Sequence, residues 1–199
     1  MSADSKKAIR AEMKDLREEL HARDPDAGET LADKFPLKLL ERYGPAVAGY
    51  MPINSEIDPL PLMEKLAKAG AKLSLPRVSD DGHLDFHLWT LGDPLEDRPF
   101  GLKEPFATAP KVSPTLVLLP LLAFDGMGTR VGYGQGHYDR ALERLRADGR
   151  VFTCGLGFHG QMLDDLPSEP HDQPLDWAVT ERGSVPIFMM RTFAKEKSD

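Results

Sequence analysis

Near the start of the chain, Ile9, Met13, Leu16 and Leu20 recur three and four positions apart, which predicts an amphipathic helix over 5–20 packed by one stripe. A second helical stretch is expected over 27–42, ending before Gly44 and Pro45, where a stop signal and a turn coincide. Residues 45–51 read as a short apolar strand. The segment after Asp58-Pro59 reads as a helix with Leu62, Leu66 and Ala69 on one side, and 72–78 as a further strand. Together they suggest a strand-helix-strand unit. Over 83–90, Leu84, Phe86 and Leu88 alternate with polar residues, so one face of a strand, possible at a sheet edge, is buried. The proline-rich stretch 92–114 predicts an irregular surface connection.

The strongest core signal follows. Residues 115–120, Thr-Leu-Val-Leu-Leu-Pro, form a continuous apolar run of the kind that a strand covered on both faces requires, as in a parallel sheet. Glycines come next, then a helix over 138–147, a strand over 151–157 and a last strand over 177–180. The alternation predicts an α/β fold: a single three-layer domain with a mostly parallel open sheet. The polar tail, 195–199, is expected to fray.

With 199 residues, 41% of them hydrophobic, the chain can bury one substantial core but is short for two domains. The expectation is one domain over 1–199, with monomer as the default state. A net charge of -7 repels polyanions, so neither nucleic acid nor an anionic membrane is an expected partner. Any bound anion must be caught by a local basic patch. Cys154 is the only cysteine, which excludes an intramolecular disulfide framework and suits a reducing compartment. The opening 20 residues are charged, and no apolar run approaches the roughly 18 residues that span a bilayer. The expected location is therefore cytoplasmic.

Candidate chemistry concentrates in 124–140, FDGMGTRVGYGQGHYDR, with glycines at 126, 128, 132, 134 and 136 between a buried strand and a helix. Glycines let the backbone adopt positive φ and approach a ligand closely, so successive N–H groups can form an anion nest beside a helix N-terminus. Phosphate is the natural guest. A flexible connection or a tight packed turn is the plainer alternative, but such linkers seldom interleave Arg130, Tyr133, Tyr138 and Asp139. The stretch lacks the Gly-Lys-Ser/Thr ending of a P-loop and the spacing of the dinucleotide fingerprint, and no G-x-S-x-G elbow occurs in the chain. Lys6, Arg10, Lys14 and Arg17, spaced by four, four and three, gather positive charge on one helical face. Such a stripe is either solvated or folded back over the glycine loop. Cys154 reads as a buried apolar residue, and His83, His87, His159 and His171 suggest no metal site.

Taken in order, these pieces resemble the 5-formyltetrahydrofolate cyclo-ligase family. The resemblance rests on Lys6-x-x-Ile9-Arg10, Gly49-Tyr50-Met51-Pro52, Glu56-Ile57-Asp58, Leu75-Pro76-Arg77 and Gly101-Leu102-x-Glu104-Pro105. It continues through Leu119-Pro120, Phe124-Asp125, Arg130-x-Gly132-Tyr133-Gly134-x-Gly136-x-Tyr138-Asp139-Arg140, Pro170-His171-Asp172 and Thr180-Glu181. It implies a fold related to the open-sheet sugar-phosphate isomerases and CoA transferases, with the N-terminal helix, about 5–22, folding over the nucleotide loop. The implied reaction joins 5-formyltetrahydrofolate, in mono- or polyglutamyl form, with ATP to give 5,10-methenyltetrahydrofolate, ADP and phosphate.

By position, the resemblance gives Lys6, Arg10, Arg130 and Tyr133 catalytic contacts. The ATP cradle becomes Lys6 and Arg10 with Arg130, Gly132, Tyr133, Gly134, Gln135, Gly136, His137 and Tyr138. Folate falls to Met51, Glu56 and the stretch Tyr133, Gly134, Gln135, Gly136 and His137, and Mg²⁺ to Asp139 and Asp172. Gln135 and His137 depart from the family pattern, where a small or basic residue and an aromatic one are usual. Two rivals stand beside this reading: a catalytically silent folate- or nucleotide-binding relative, and a sugar-phosphate enzyme of similar fold.

Overall fold

In the computed structural model, which describes residues 2–187 and 189, the chain begins with helix α1 (Ser2–Arg23), then α2 (Ala27–Lys34) and α3 (Lys38–Tyr43). Strand β1 (Ala46–Ala48), helix α4 (Leu60–Lys68) and strand β2 (Lys72–Val78) form the expected strand-helix-strand unit, with β1 and β2 parallel. Strands β3 (Leu84–Leu88), β4 (Glu96–Asp97), β5 (Lys103–Glu104) and β6 (Lys111–Val112) follow. The chain then runs through β7 (Leu116–Pro120), β8 (Ala123–Asp125), β9 (Arg130–Val131) and α5 (His137–Asp148). It closes with β10 (Phe152–Leu156), β11 (Met162–Leu163), β12 (Trp177–Thr180) and β13 (Gly183–Val185).

Eight strands form the central sheet in the order β13-β12-β10-β7-β1-β2-β3-β6. Strands β12, β10, β7, β1 and β2 run parallel, while β13 and β3 are antiparallel to their inner neighbours. The apolar run predicted as a doubly covered strand is β7, near the middle. Its side chains split as a pleat requires: Leu116 and Leu118 join the core under α2, α3 and α4, while Val117 and Leu119 join the core under α5. Helices thus cover both faces, the three-layer arrangement expected from the sequence.

Four expectations change. The helix over 27–42 is broken: Phe35 is extended (φ -70, ψ 124), because the residue before Pro36 is pushed out of the helical region, and Phe35 is buried at the break. The strand expected over 45–51 shrinks to β1, and β6 lies outside β3, so β3 is not the edge. Beyond 177–180 there is one more strand, β13. The expected frayed tail, 195–199, lies outside the described residues. Within the proline-rich connection, Glu104 explains why two separated motifs belong together. It accepts the Val78 N–H at 3.2 Å and sits 3.2 Å from Arg98 Nε and 3.7 Å from Arg77 Nη1, while Arg77 donates to the Pro105 carbonyl at 2.7 Å.

A small second sheet, β11-β8-β9, was not foreseen, and it shapes the glycine loop. Asp125, 1% exposed, sets the turn between β8 and β9: its Oδ1 accepts the N–H groups of Met127 and Thr129 at 2.9 Å each, and its Oδ2 accepts the Leu166 N–H at 3.2 Å. Gly128 completes that turn at φ +88, where a Cβ would stand 2.7 Å from the Leu175 carbonyl. Asp125→Asn places an amide NH₂ against an N–H in either amide orientation. The substitution is expected to lower stability by about 2 kcal/mol, read as a fall in the urea midpoint at constant m.

Candidate functional site

Helix α1 lies over the small sheet and the turn at 159–161, with Ile9, Met13 and Leu16 packed on Ala123, Val131 and Leu166. Its basic stripe is divided rather than uniformly solvated. Lys14 is exposed and Arg10 half-buried, whereas Lys6 (4% exposed) and Arg17 (1%) point inward with Met13. The reason is the helical period: Arg17 stands four positions after Met13 and three before Leu20, on the apolar stripe itself.

Each inward cation meets its own anions. Lys6 Nζ donates to Asp172 Oδ2 at 2.7 Å and to Glu169 Oε2 at 2.9 Å. Burial works against the lysine charge, yet its hydrogen bonds to Asp172 and Glu169, with their negative charges, outweigh it and hold the Lys6 pKa above the usual value. Burial likewise works against the Asp172 charge, but the Lys6 ammonium and the Glu169 N–H hold its carboxyl below the usual range. Glu169, His171 and Asp172 bring one ligand atom each within 4.8 Å of one another.

Arg10 reaches the glycine loop: its Nε donates to the Gly132 carbonyl at 2.9 Å, and its Cζ would lie 3.0 Å from a Cβ on Gly134, a residue at φ +91. At that φ any other residue would be strained, and its Cβ would require the guanidinium to shift. Gly136, at φ +65, ends the loop and begins α5. Arg140 ties the last turn down, donating to the Gln135 carbonyl at 3.0 Å and standing 3.1 Å from His137 Nδ1. Arg130 donates to Asp139 Oδ1 at 2.7 Å and to the Gln173 carbonyl, and the Gln173 N–H also donates to Asp139 Oδ1, at 3.0 Å.

Arg17 meets a third set. Its Nη2 donates to the Tyr133 hydroxyl at 2.7 Å, its Nε to Ser55 Oγ at 3.1 Å, and its Nη1 lies 3.7 Å from Glu56 Oε1. Glu56, 4% exposed, accepts the Ile53 N–H at 3.0 Å on its other oxygen. Burial pushes the Glu56 carboxyl up to about 7, against the opposing pull of the Ile53 N–H, Arg17 and Tyr133. Burial and the Glu56 charge also raise the Tyr133 and Tyr138 hydroxyls.

The structure therefore brings together most residues named from the sequence, in three ion clusters along α1 and the loop. Asp139 and Asp172 belong to different clusters, each held by a cation. Met51 lines a cleft of about 560 Å³ with Asp58, Leu60, Trp89 and Leu91. Arg17, Ser55 and Glu169 are neighbours of these groups that were not named individually as site residues. Arg17 was legible as a cation on an apolar stripe, whereas Ser55 and Glu169 carried no spacing signal.

Because the raised pKa belongs to an acid, the sign is fixed. Ionising Glu56 costs the folded state more than the unfolded one, so stability is lost as pH rises from about 4.5 to about 7 and levels off above. Glu56→Gln is expected to remove this loss, gaining about 2 kcal/mol relative to the parent between pH 5 and pH 8 in urea titrations.

Comparison with known proteins places this geometry in a family. A model of the 5-formyltetrahydrofolate cyclo-ligase family matches residues 2–181. A 5-formyltetrahydrofolate cyclo-ligase of Mycolicibacterium smegmatis is 32% identical over 170 residues, covering 80% of this chain and 86% of that one. One from Haemophilus influenzae is 29% identical over 182 residues, covering 88% and 97%. Among solved structures, the Aquifex aeolicus 5,10-methenyltetrahydrofolate synthetase superposes with a TM-score of 0.75 at 26% identity over 92% of each chain. The Mycoplasma pneumoniae 5,10-methenyltetrahydrofolate synthetase superposes at 0.69 and 20% identity over 89% of this chain and 99% of that one, a likeness of fold.

Proposed function

The chain belongs to the 5-formyltetrahydrofolate cyclo-ligase family, and from that premise we propose that it closes 5-formyltetrahydrofolate to 5,10-methenyltetrahydrofolate with ATP as co-substrate. The observation that carries the reading is the meeting, along one helix, of a glycine loop lined by Arg10 and Arg130 with a buried carboxylate, Glu56. The first suits a triphosphate and the second a polar heterocycle.

A formamide carbon is a poor electrophile because the nitrogen lone pair feeds it. Transfer of the γ-phosphoryl to the formyl oxygen relieves that and makes the oxygen a leaving group. The folate N10 then attacks the same carbon, the C–O bond breaks, and phosphate departs as N10 gives up its proton. The protein's work is positioning and charge neutralisation. Lys6, Arg10 and Arg130 would offset the triphosphate, with Gly132, Gly134, Gln135, Gly136, His137 and Tyr138 cradling it. Glu56 and Met51 would hold folate against Tyr133.

Magnesium favours oxygen ligands and commonly takes one or two carboxylates with phosphate oxygens. Asp139 and Asp172 fit that donor set. Among the described residues the hydrogen bonds to Asp139 fall on Oδ1 and those to Asp172 on Oδ2, with His171 Nε2 3.8 Å from Asp172 Oδ1, so the second oxygens face outward from these bonds toward a cation. The ion would supply charge neutralisation of the β- and γ-phosphates. Small-molecule substrate and a cytoplasmic location complete the proposal; among the described residues no helix is long and apolar enough to cross a membrane.

The test follows the long-wavelength absorbance of the methenyl product with purified protein, 5-formyltetrahydrofolate and Mg²⁺, with and without ATP. Product growth that requires ATP is expected; a flat trace with folate still bound would replace the proposal by the silent relative. Asp139→Asn keeps the acceptor used by Arg130 and Gln173 but removes the charge. It is expected to cut turnover at least about tenfold with little change in Tm.

A further inference from the structure

We propose that Arg17 is a positioning residue for the folate side of the site, its guanidinium setting the relative placement of Glu56 and Tyr133. The assignment rests on the cyclo-ligase reading. Arg17 is 1% exposed, and a well-packed apolar side chain in its place would cost the fold less than a desolvated cation. What an apolar residue cannot do is hold three chain segments in one plane. The guanidinium is a rigid fork of five donors. Its Nε is fixed by Ser55 Oγ at 3.1 Å, its Nη1 faces the Leu121 carbonyl at 3.5 Å and Glu56 Oε1 at 3.7 Å, and its Nη2 holds the Tyr133 hydroxyl at 2.7 Å.

Tyr133 is 44% exposed, so its ring faces the open loop while its hydroxyl is gripped from below. Arg17 Cζ lies 5.6 Å from that ring's centroid. The grip therefore joins the glycine loop to the Ser55-Glu56 turn through α1, the helix that also carries Lys6 and Arg10. Eleven residues of helix separate Lys6 from Arg17, about 16 Å at 1.5 Å per residue. The titratable groups that interact with Glu56 are Arg17 from α1, Tyr133 from the loop, Tyr138 from α5 and Tyr50 from its own segment. Arg17 is the cation among them.

Calorimetric titration with 5-formyltetrahydrofolate from pH 5.5 to 8.5, alongside a non-hydrolysable ATP analogue, tests the assignment. Arg17→Lys keeps a positive charge but loses the fork. Its folate Kd is expected to rise at least about tenfold while nucleotide affinity stays within about twofold. Arg17→Met removes the charge as well, and the acid limb of folate binding should move to higher pH. If Arg17→Met does not fold, Tyr133→Phe takes its place. Adding Tyr133→Phe to Arg17→Lys should then weaken folate binding no further, and additive losses would overturn the assignment. So would a folded Arg17→Lys with parental folate affinity and an unchanged acid limb. A parent protein that binds nucleotide but no folate overturns the cyclo-ligase reading and this assignment with it. A parent that turns folate over beside an unaltered Arg17→Lys overturns this assignment alone.

Discussion

Helix α1 puts a lysine and an arginine on the face it buries, and a cation out of water must find anions or fixed dipoles or lose several kcal/mol of hydration. Lys6 finds them in the 169–172 turn, more than 160 positions later, and Arg17 finds them at Ser55, Glu56, Leu121 and Tyr133. Segments remote in sequence are thus drawn to one helix by desolvation. The same contacts that make the burial of α1 tolerable gather the phosphate-side and folate-side residues, so fold and site share one set of charges.

The sheet decides where that gathering happens. Strands β1, β7 and β10 are parallel; β7 and β10 end level, since Leu156 pairs with Pro120, while β1 ends earlier, at Ala48 opposite Val117. Their carboxyl ends continue into the turn bearing Glu56, the segment at Leu121 and the turn at 159–161. Open α/β sheets bind ligands in the crevice beyond those ends, because the loops there are free to diverge while the strands are not. Gln161 stitches two of these loops: its Nε2 donates to the Leu121 and Leu122 carbonyls at 2.7 and 2.9 Å, and its Oε1 accepts the Phe158 N–H at 2.7 Å. α1 is laid across this edge by its contacts with the same turn and with β8 and β9.

How much of this could be read in advance depended on whether the signal was periodic. Strands β2 and β12 were placed to the residue, and β7 was identified as doubly covered, because runs of four or more apolar or alternating positions carry their own period. The strands of the small sheet are two or three residues long, too short for any period, and they are fixed by Asp125 and by pairing across the chain. The break at Pro36 was written in the sequence and outweighed by the helical pattern around it. For the site, residue types were legible and pairings were not. Lys6, Arg10, Arg130, Glu56, Asp139 and Asp172 were each marked as polar groups with work to do. That Lys6 would pair with Asp172, and Arg130 with Asp139, is a property of the assembled fold.

Those pairings bear on the proposed chemistry. Before any ligand arrives, Lys6 is shared by two carboxylates, Arg130 is matched by Asp139, and Arg17 faces Glu56. Arg10, by contrast, donates to the neutral Gly132 carbonyl. A triphosphate entering such a site gains little from cations whose charge is already met, and like-charged carboxylates beside it oppose its entry. On the proposed function Asp139 and Asp172 would hold a magnesium ion, whose charge would offset theirs and leave Lys6 and Arg130 available to phosphate oxygens.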